Sequence, residues 1–314
     1  MEPVIILVGP TASGKTGLAI ELAKRINGSV VSADSMQIYR HMNIGTAKPD
    51  AAERSGISHY MIDEVDPDDN FSVAKYRELA LKYISQIIED GRHPIVAGGT
   101  GLYINSLLYN INFSETICDE ELREALKAEA NEKGNRYIYE KLQAVDPEAA
   151  AKIHENDIKR IIRAIEVYTH TNKPISLHAK LSRLEPPPYN YIVFGLKWDR
   201  SKLYERIEKR VDMMLQLGLV EEVKGLVKTG YDKGATAMQG IGYKEILSYL
   251  KGECTLDETI NILKRNTRHY AKRQMTWFRR LENILWLDVD ENSDLKELAE
   301  KIIQECIATY GIIL

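Results

Sequence analysis

Val4-Ile5-Ile6-Leu7-Val8-Gly9-Pro10-Thr11-Ala12-Ser13-Gly14-Lys15-Thr16 is the stretch on which the fold turns. Five apolar residues in succession, four of them β-branched, read as a buried strand. The next eight fit G-x-x-x-x-G-K-[ST], and Leu18, Leu22 and Ile26 then recur at a spacing of four, one face of a helix. Between a strand and a helix this loop is a phosphate cradle. Its glycines let the backbone close on phosphate oxygens, the helix N-terminus supplies free N–H groups, Lys15 adds a charge, and the Thr16 hydroxyl is a ligand for Mg2+. Gly9, Pro10, Thr11, Ala12, Ser13, Gly14, Lys15 and Thr16 are thus expected to bind a diphosphate, ATP by motif alone, and the loop does not say which.

Working outward, short apolar runs alternate with helical patterns, as in βα units that build a parallel sheet. Strands are expected at residues 4–8, 29–33, 59–63 and 94–97, with helices at 16–26 and 72–88, the second capped by Ser72. Strand-like runs return at 191–198 and 284–289. Residues 115–183 differ: they are rich in Glu, Lys, Ala and Arg and read as helix throughout. The expected fold is α/β, a P-loop NTPase-like parallel sheet flanked by helices. Residues 1–114 and 184–314 form its catalytic core, 115–183 an inserted all-helical lobe, and helices at 202–216, 220–228, 243–250 and 256–280 a helical C-terminal region.

The chain has 314 residues, 44% hydrophobic and 28% charged, an ordinary globular composition. No run approaches the roughly 18 apolar residues of a membrane span, so no membrane partner is expected. The N-terminus lacks the features of a signal peptide. Cys118, Cys254 and Cys306 form no CxxC pair, which points to neither disulfides nor zinc and to a cytoplasmic location. A net charge of −4 does not itself suggest a polyanion. Yet residues 264–280 carry seven Lys or Arg and no acid, interleaved with His269, Tyr270, Trp277 and Phe278. Cations neutralise phosphates and aromatic rings stack on unpaired bases. Arg265, Arg268, Lys272 and Arg279 fall near one helical stripe; Trp277 and Phe278 fit a core position equally well.

A nucleoside triphosphatase needs an acid after a strand near the loop, to order a metal and a hydrolytic water. The run at 94–97 ends instead in Gly98-Gly99-Thr100-Gly101. The available acid is Asp34, after Val30-Val31-Ser32-Ala33, at the sheet edge where ligands collect. It either takes a proton from an incoming nucleophile or caps the turn that follows. Two enzymes fit so far: a small-molecule kinase, and a transferase whose loop grips a leaving diphosphate while carbon is attacked. An RNA-binding scaffold with a degenerate loop is a third reading, opposed by the intact Lys15, Thr16 and Asp34.

Further residues narrow the choice. Asp34-Ser35-Met36-Gln37-Ile38-Tyr39-Arg40 and Ile44-Gly45-Thr46-Ala47-Lys48-Pro49 resemble the signature that follows the P-loop in tRNA dimethylallyltransferases. Gly98-Gly99-Thr100-Gly101-Leu102-Tyr103, Asn156-Asp157-Ile158-Lys159-Arg160, Gln239-Gly240-Ile241-Gly242-Tyr243-Lys244 and Arg273-Gln274-Met275-Thr276-Trp277-Phe278 resemble later motifs of that family, in its order. The likeness runs from residue 4 to about 280 and is closest to the compact bacterial form.

The resemblance implies transfer of the dimethylallyl group of dimethylallyl diphosphate to the N6 amine of the adenosine immediately 3′ of the tRNA anticodon. Asp34 would be the general base, Thr100 would position the amine or the diphosphate, and Arg206 or Arg210, four apart on one helix face, would reach the diphosphate or the tRNA. Read without the family, both arginines are ordinary solvated charges beside Glu205 and Glu208. The resemblance further assigns tRNA contacts to Ser35, Met36 and Gln37, to Arg123, Lys159, Arg160 and Arg163 in the lobe, and to Arg268, Lys272, Arg273, Gln274, Trp277 and Arg279. Gln37 is placed to read an edge of the target base or its neighbour. The expected partners are the tRNA anticodon stem-loop and dimethylallyl diphosphate, with a monomeric enzyme. The acidic run Asp63, Glu64, Asp66, Asp68 and Asp69 reads as a solvated loop, with Mg2+ binding as the alternative.

Overall fold

A computed structural model describes residues 2–110, 119–182, 184–231 and 235–311. Cys118 and the expected boundary residues 114, 115 and 183 lie outside them. In chain order the elements are β1 (Pro3–Val8), α1 (Lys15–Arg25), β2 (Gly28–Ser32), α2 (Ala51–Arg54), β3 (His59–Tyr60), α3 (Val73–Glu89), β4 (His93–Gly98) and α4 (Gly101–Leu108). They continue with α5 (Glu120–Lys133), α6 (Asn135–Val145), α7 (Pro147–Ala150), α8 (Ile158–Thr171) and α9 (Ile175–Ser182). Next come β5 (Asn190–Trp198), α10 (Arg200–Gln216), α11 (Leu219–Lys228), a 3₁₀ turn at Thr236–Gln239, α12 (Tyr243–Leu250), α13 (Leu256–Phe278), β6 (Leu285–Val289) and α14 (Leu295–Tyr310).

The six strands form one sheet in the order β3-β2-β4-β1-β5-β6, every pairing parallel. This is the expected α/β fold. Val8 pairs with Gly98 on one side and Gly195 on the other, so the C-terminal ends of β4, β1 and β5 lie level. The loop after β1 leaves from that edge, where crevices for ligands open in parallel sheets.

One strand is shorter than expected. The apolar run at 59–63 pairs only through His59 and Tyr60, because Met61 and Asp63 adopt φ of 62° and 58° and turn the chain out of the sheet. Ser72 does cap α3, accepting the Lys75 N–H at 3.2 Å.

The chain divides into two compact units, Met1–Ile104 with Tyr189–Leu314, and Asn105–Pro188. In the first, Ile5 and Leu7 of β1, Leu18 and Leu22 of α1, Phe194 of β5 and Ile302 of α14 are buried together. Each such side chain contributes about 1.5–3 kcal/mol by leaving water. In the second, Leu126, Ile138, Leu142, Ile161 and Ile165 form a separate core among α5, α6 and α8. The N-cap Asp157 starts α8 by accepting the Arg160 N–H.

Candidate active site

The phosphate loop is held open by side chains from distant elements. Trp198, at the end of β5, donates its indole N–H to the Ser13 carbonyl at 3.0 Å. Arg206 of α10 stacks over the Trp198 ring and donates Nε–H to the Ala12 carbonyl at 2.9 Å. Lys15 Nζ reaches back to the Pro10 carbonyl at 2.7 Å. With the loop carbonyls turned outward onto these donors, backbone N–H groups are left for the phosphate side. Ala12 and Gly14 adopt φ of 63° and 91° to make this wrap.

Gln274 of α13 is buried and bridges two loops. Its Oε1 accepts the Thr11 N–H at 2.8 Å, and its Nε2 donates to the Gly99 carbonyl at 2.9 Å. It was expected at a tRNA contact; both ends of its amide are committed inside the protein. Trp277, one turn on, is half-buried over Gly101, where an added Cβ would come within 2.3 Å of the indole.

Asp34 follows β2 after one residue. Its Oδ1 accepts the backbone N–H groups of Met36 at 2.9 Å and Gln37 at 3.4 Å, so it does cap the turn. It also lines a narrow cavity of about 70 Å³ together with Thr11, Lys15, Thr16, Arg210 and Tyr270. Capping thus orients a carboxylate that borders the cavity beside the phosphate loop. Thr100 Oγ1 accepts the Ser35 N–H at 3.0 Å and, with the backbone bond from Thr100 N–H to the Ala33 carbonyl, ties the β4 loop to the Asp34 loop.

The two candidate arginines separate. Arg206 is engaged by the loop carbonyl and Trp198, whereas Arg210 extends to Thr11 Oγ1 at 3.4 Å and borders the cavity that holds Asp34. Burial works against the Arg210 charge, and the carboxylates of Asp34 and Glu53 support it. Burial, reinforced by the Arg210 charge and opposed by Asp34, lowers Lys15 to about 7. The site is thus short of negative charge and ready for an anion.

Two larger cavities flank this point. One, of about 320 Å³, is bordered by Asp34, Ser35, Met36, Arg210, Gly240, Tyr270 and Arg273. The other, of about 620 Å³, joins the second half of the phosphate loop to Arg206, Lys209, Met213, Met214 and Leu217. Tyr270 was read only as a base-stacking aromatic. Its hydroxyl interacts with Thr100 and Gln274, and burial followed by the Asp34 charge raises its phenol, keeping it protonated. No local signal marked it, since it lies on a helix far along the chain from Asp34.

The remaining expected contacts scatter. Lys272 and Arg273 of α13 and Arg279, its C-cap, are exposed, while Arg268 is ion-paired with Glu208. Lys159 and Arg160 are exposed on α8 of the second unit. Arg123 and Arg163 converge there on the fully buried carboxylate of Glu166, which also accepts the Asp119 N–H at 2.8 Å. Gln37 has its amide bonded within its loop, accepting from Ser32 Oγ at 3.1 Å and donating to the carbonyls of Thr46 and Ala47. Both of its amide hydrogens are committed there, which leaves the second lone pair of Oε1 for any other donor.

In the acidic run, Asp63 pairs with Lys48, Glu64 accepts from Met61 N–H and Tyr83 hydroxyl, Asp66 pairs with Arg40, and Asp69 accepts the Asp66 N–H. Among the described residues no group of three or more His, Cys, Asp or Glu forms a metal cage, and no helix is long and apolar enough to cross a membrane. Thr16, exposed beside Lys15 on the cavity wall, presents a hydroxyl of the kind that would fit a magnesium ion.

An intact phosphate loop that meets Asp34 and Arg210 on one cavity is the site of a P-loop enzyme. The chain belongs to the IPP transferase family, whose match covers residues 37–281. It is similar to the tRNA dimethylallyltransferase of Acetivibrio thermocellus, 62% identical over 314 residues and covering 100% of both chains. Among solved structures it is similar to the full-length tRNA isopentenylpyrophosphate transferase of Bacillus halodurans, with a TM-score of 0.73, 43% identity and 99% of each chain covered. A eukaryotic dimethylallyltransferase acting on tRNA superposes with a TM-score of 0.85 at 29% identity, covering 100% of this chain and 81% of that one. The resemblance drawn from the six motifs holds, and the kinase reading is not favoured.

Proposed function

We infer that this protein transfers the dimethylallyl group of dimethylallyl diphosphate to the N6 amine of the adenosine immediately 3′ of a tRNA anticodon. The observation that carries the reading is the meeting of Lys15, Arg210 and Asp34 on one cavity in a chain of the IPP transferase family. The N6 nitrogen attacks C1 of the donor, the C1–O bond breaks, and its electron pair leaves with diphosphate. Asp34 takes the N6 proton. An aromatic amine is a weak nucleophile, so charge stabilisation on the leaving side carries much of the rate. Lys15, the loop N–H groups and Arg210 supply it, and Thr16 would hold a Mg2+ ion whose charge would offset part of that of the diphosphate. Thr100 and Tyr270 fix the position of the amine beside Asp34.

The chain acts as a monomer in this reading. Exposed Lys272, Arg273 and Arg279, and on the second unit Lys159 and Arg160, contact tRNA phosphates; Ser35 and Met36 line the cavity that admits the base. Incubating the protein with Mg2+, dimethylallyl diphosphate and unmodified tRNA should yield one prenylated adenosine per tRNA by mass spectrometry of the digest. Asp34→Ala should lower turnover about 10²–10⁴-fold with donor affinity nearly unchanged. Unmodified tRNA in the wild-type reaction would overturn the reading. Full turnover by Asp34→Ala would overturn the role of Asp34.

A further inference from the structure

Glu222 of α11 sits outside every motif singled out above, yet its carboxylate gathers four donors. Oε2 accepts the N–H groups of Asn43 at 2.9 Å and Ile44 at 2.7 Å; Oε1 accepts Gly45 N–H at 3.1 Å and the Tyr243 hydroxyl at 2.7 Å. Three consecutive N–H groups wrapped round one anion form a nest, which holds the backbone in a single shape. Beneath it the Tyr243 ring lies so close to Gly45 that an added Cβ would come within 2.5 Å. The loop so held is the shared wall of the two large cavities: Asn43, Ile44, Ala47 and Lys48 border one, Gly45 and Thr46 the other. It continues to the base, because the carbonyls of Thr46 and Ala47 hold the Gln37 amide, and Gln37 N–H donates to Asp34 Oδ1.

We propose that Glu222 is a positioning residue for the transfer reaction: it clamps residues 43–47 and, through Gln37, sets the aim of the Asp34 carboxylate. The proposal rests on the reaction inferred above. Charge is what the nest requires. A glutamine offers one oxygen where two are used and would turn an amide N–H₂ toward N–H donors. A misaimed base slows the chemical step without weakening the grip of the phosphate loop on the donor.

Glu222→Gln and Tyr243→Phe are compared with wild type by backbone hydrogen exchange and by steady-state prenyl transfer. In Glu222→Gln the amides of Asn43, Ile44 and Gly45 should lose protection while those of β1 and β4 keep theirs. Its kcat should fall about 10–100-fold, the range a small misplacement of a reacting group produces, with KM for dimethylallyl diphosphate changed less than about threefold. Tyr243→Phe removes one of the four donors and should move both readouts the same way by less; it decides the matter should Glu222→Gln fail to fold. Retained protection, or lost protection with unchanged kcat, would overturn the proposal; should Glu222→Gln lose protection throughout the protein, Tyr243→Phe is read in its place, and the same two outcomes there overturn it. Exchange is read without tRNA, so a wild-type protein that does not prenylate tRNA is recognised separately as failure of the inferred reaction.

Discussion

Lys15 shows how one side chain is tuned by what surrounds it. Burial, and secondarily the Arg210 charge, bring it down to about 7, against 10.5 for an ordinary lysine, although Asp34 pulls the other way. Between those values the folded protein binds fewer protons here than the unfolded chain, so stability of the empty enzyme rises as pH climbs through 7 toward 10.5. A diphosphate in the loop restores the lysine charge, so binding above pH 7 takes up a proton and binding below it does not. Calorimetric titration with inorganic diphosphate in buffers of different ionisation enthalpy should report about one more proton taken up at pH 8 by wild type than by Lys15→Met, and little difference at pH 6. Equal uptake by the two proteins would rule out this tuning. Asp34 and Lys15 were legible from neighbouring residues alone, because a phosphate loop and a turn cap are built from contiguous chain.

At the level of elements, α13 is a helix with two jobs on two faces. Its buried face carries Ala271, Gln274 and Phe278, of which Gln274 joins the phosphate loop to the β4 loop. Arg265, Lys272 and Arg273 of the helix are exposed, as is its C-cap Arg279. The charge run was read correctly as a concentration of cations, but which of them are available depends on the neighbouring helix: Glu208 of α10 occupies Arg268. Binding of tRNA followed against salt concentration should separate them. Lys272→Ala and Arg273→Ala should each weaken binding and lower the log–log salt slope by about one, the signature of one lost phosphate contact. Arg268→Ala should leave the slope nearly unchanged, since its charge is already compensated. The reverse ranking would place the tRNA on another face.

Across the whole molecule, the two units have separate cores, and the second is pinned by a buried charge. Burial alone would raise the Glu166 carboxyl, but Arg123, the Asp119 N–H and Arg163 together hold it below its ordinary 4.5. A depressed carboxyl contributes stability above about pH 4.5 that is lost as pH falls through its folded value. Glu166→Gln should therefore destabilise Asn105–Pro188 by about 1.5–3 kcal/mol at pH 7, the worth of hydrogen bonds to a charged group. The deficit should shrink toward pH 3. Hydrogen exchange across pH, read in α5 and α8, measures it; a deficit that does not vary with pH would mean that the charge is not what matters. The resemblance assigned Arg123 and Arg163 to tRNA contacts, and Glu166, in a run of apolar residues, gives no sign in the sequence that it faces inward to pair with them.

The α/β class, the phosphate loop, the strands around it and the aspartate opposite were all legible in the chain, since each depends on local period, turn chemistry or adjacent residues. The six ordered motifs pointed as well to the family to which the chain belongs. Only the folded chain shows where these side chains go: Arg206 onto the Ala12 carbonyl and Trp198, Arg210 beside Thr11, Gln274 as an internal bridge, and Arg268 and Arg163 as ion-pair partners. It alone revealed Glu222, whose partners Asn43, Ile44 and Gly45 lie 177–179 residues away. Hydrogen bonds over such separations leave no periodic trace in the chain. They exist only once the sheet has brought α10, α11 and α13 round to the edge where β1 and β2 end.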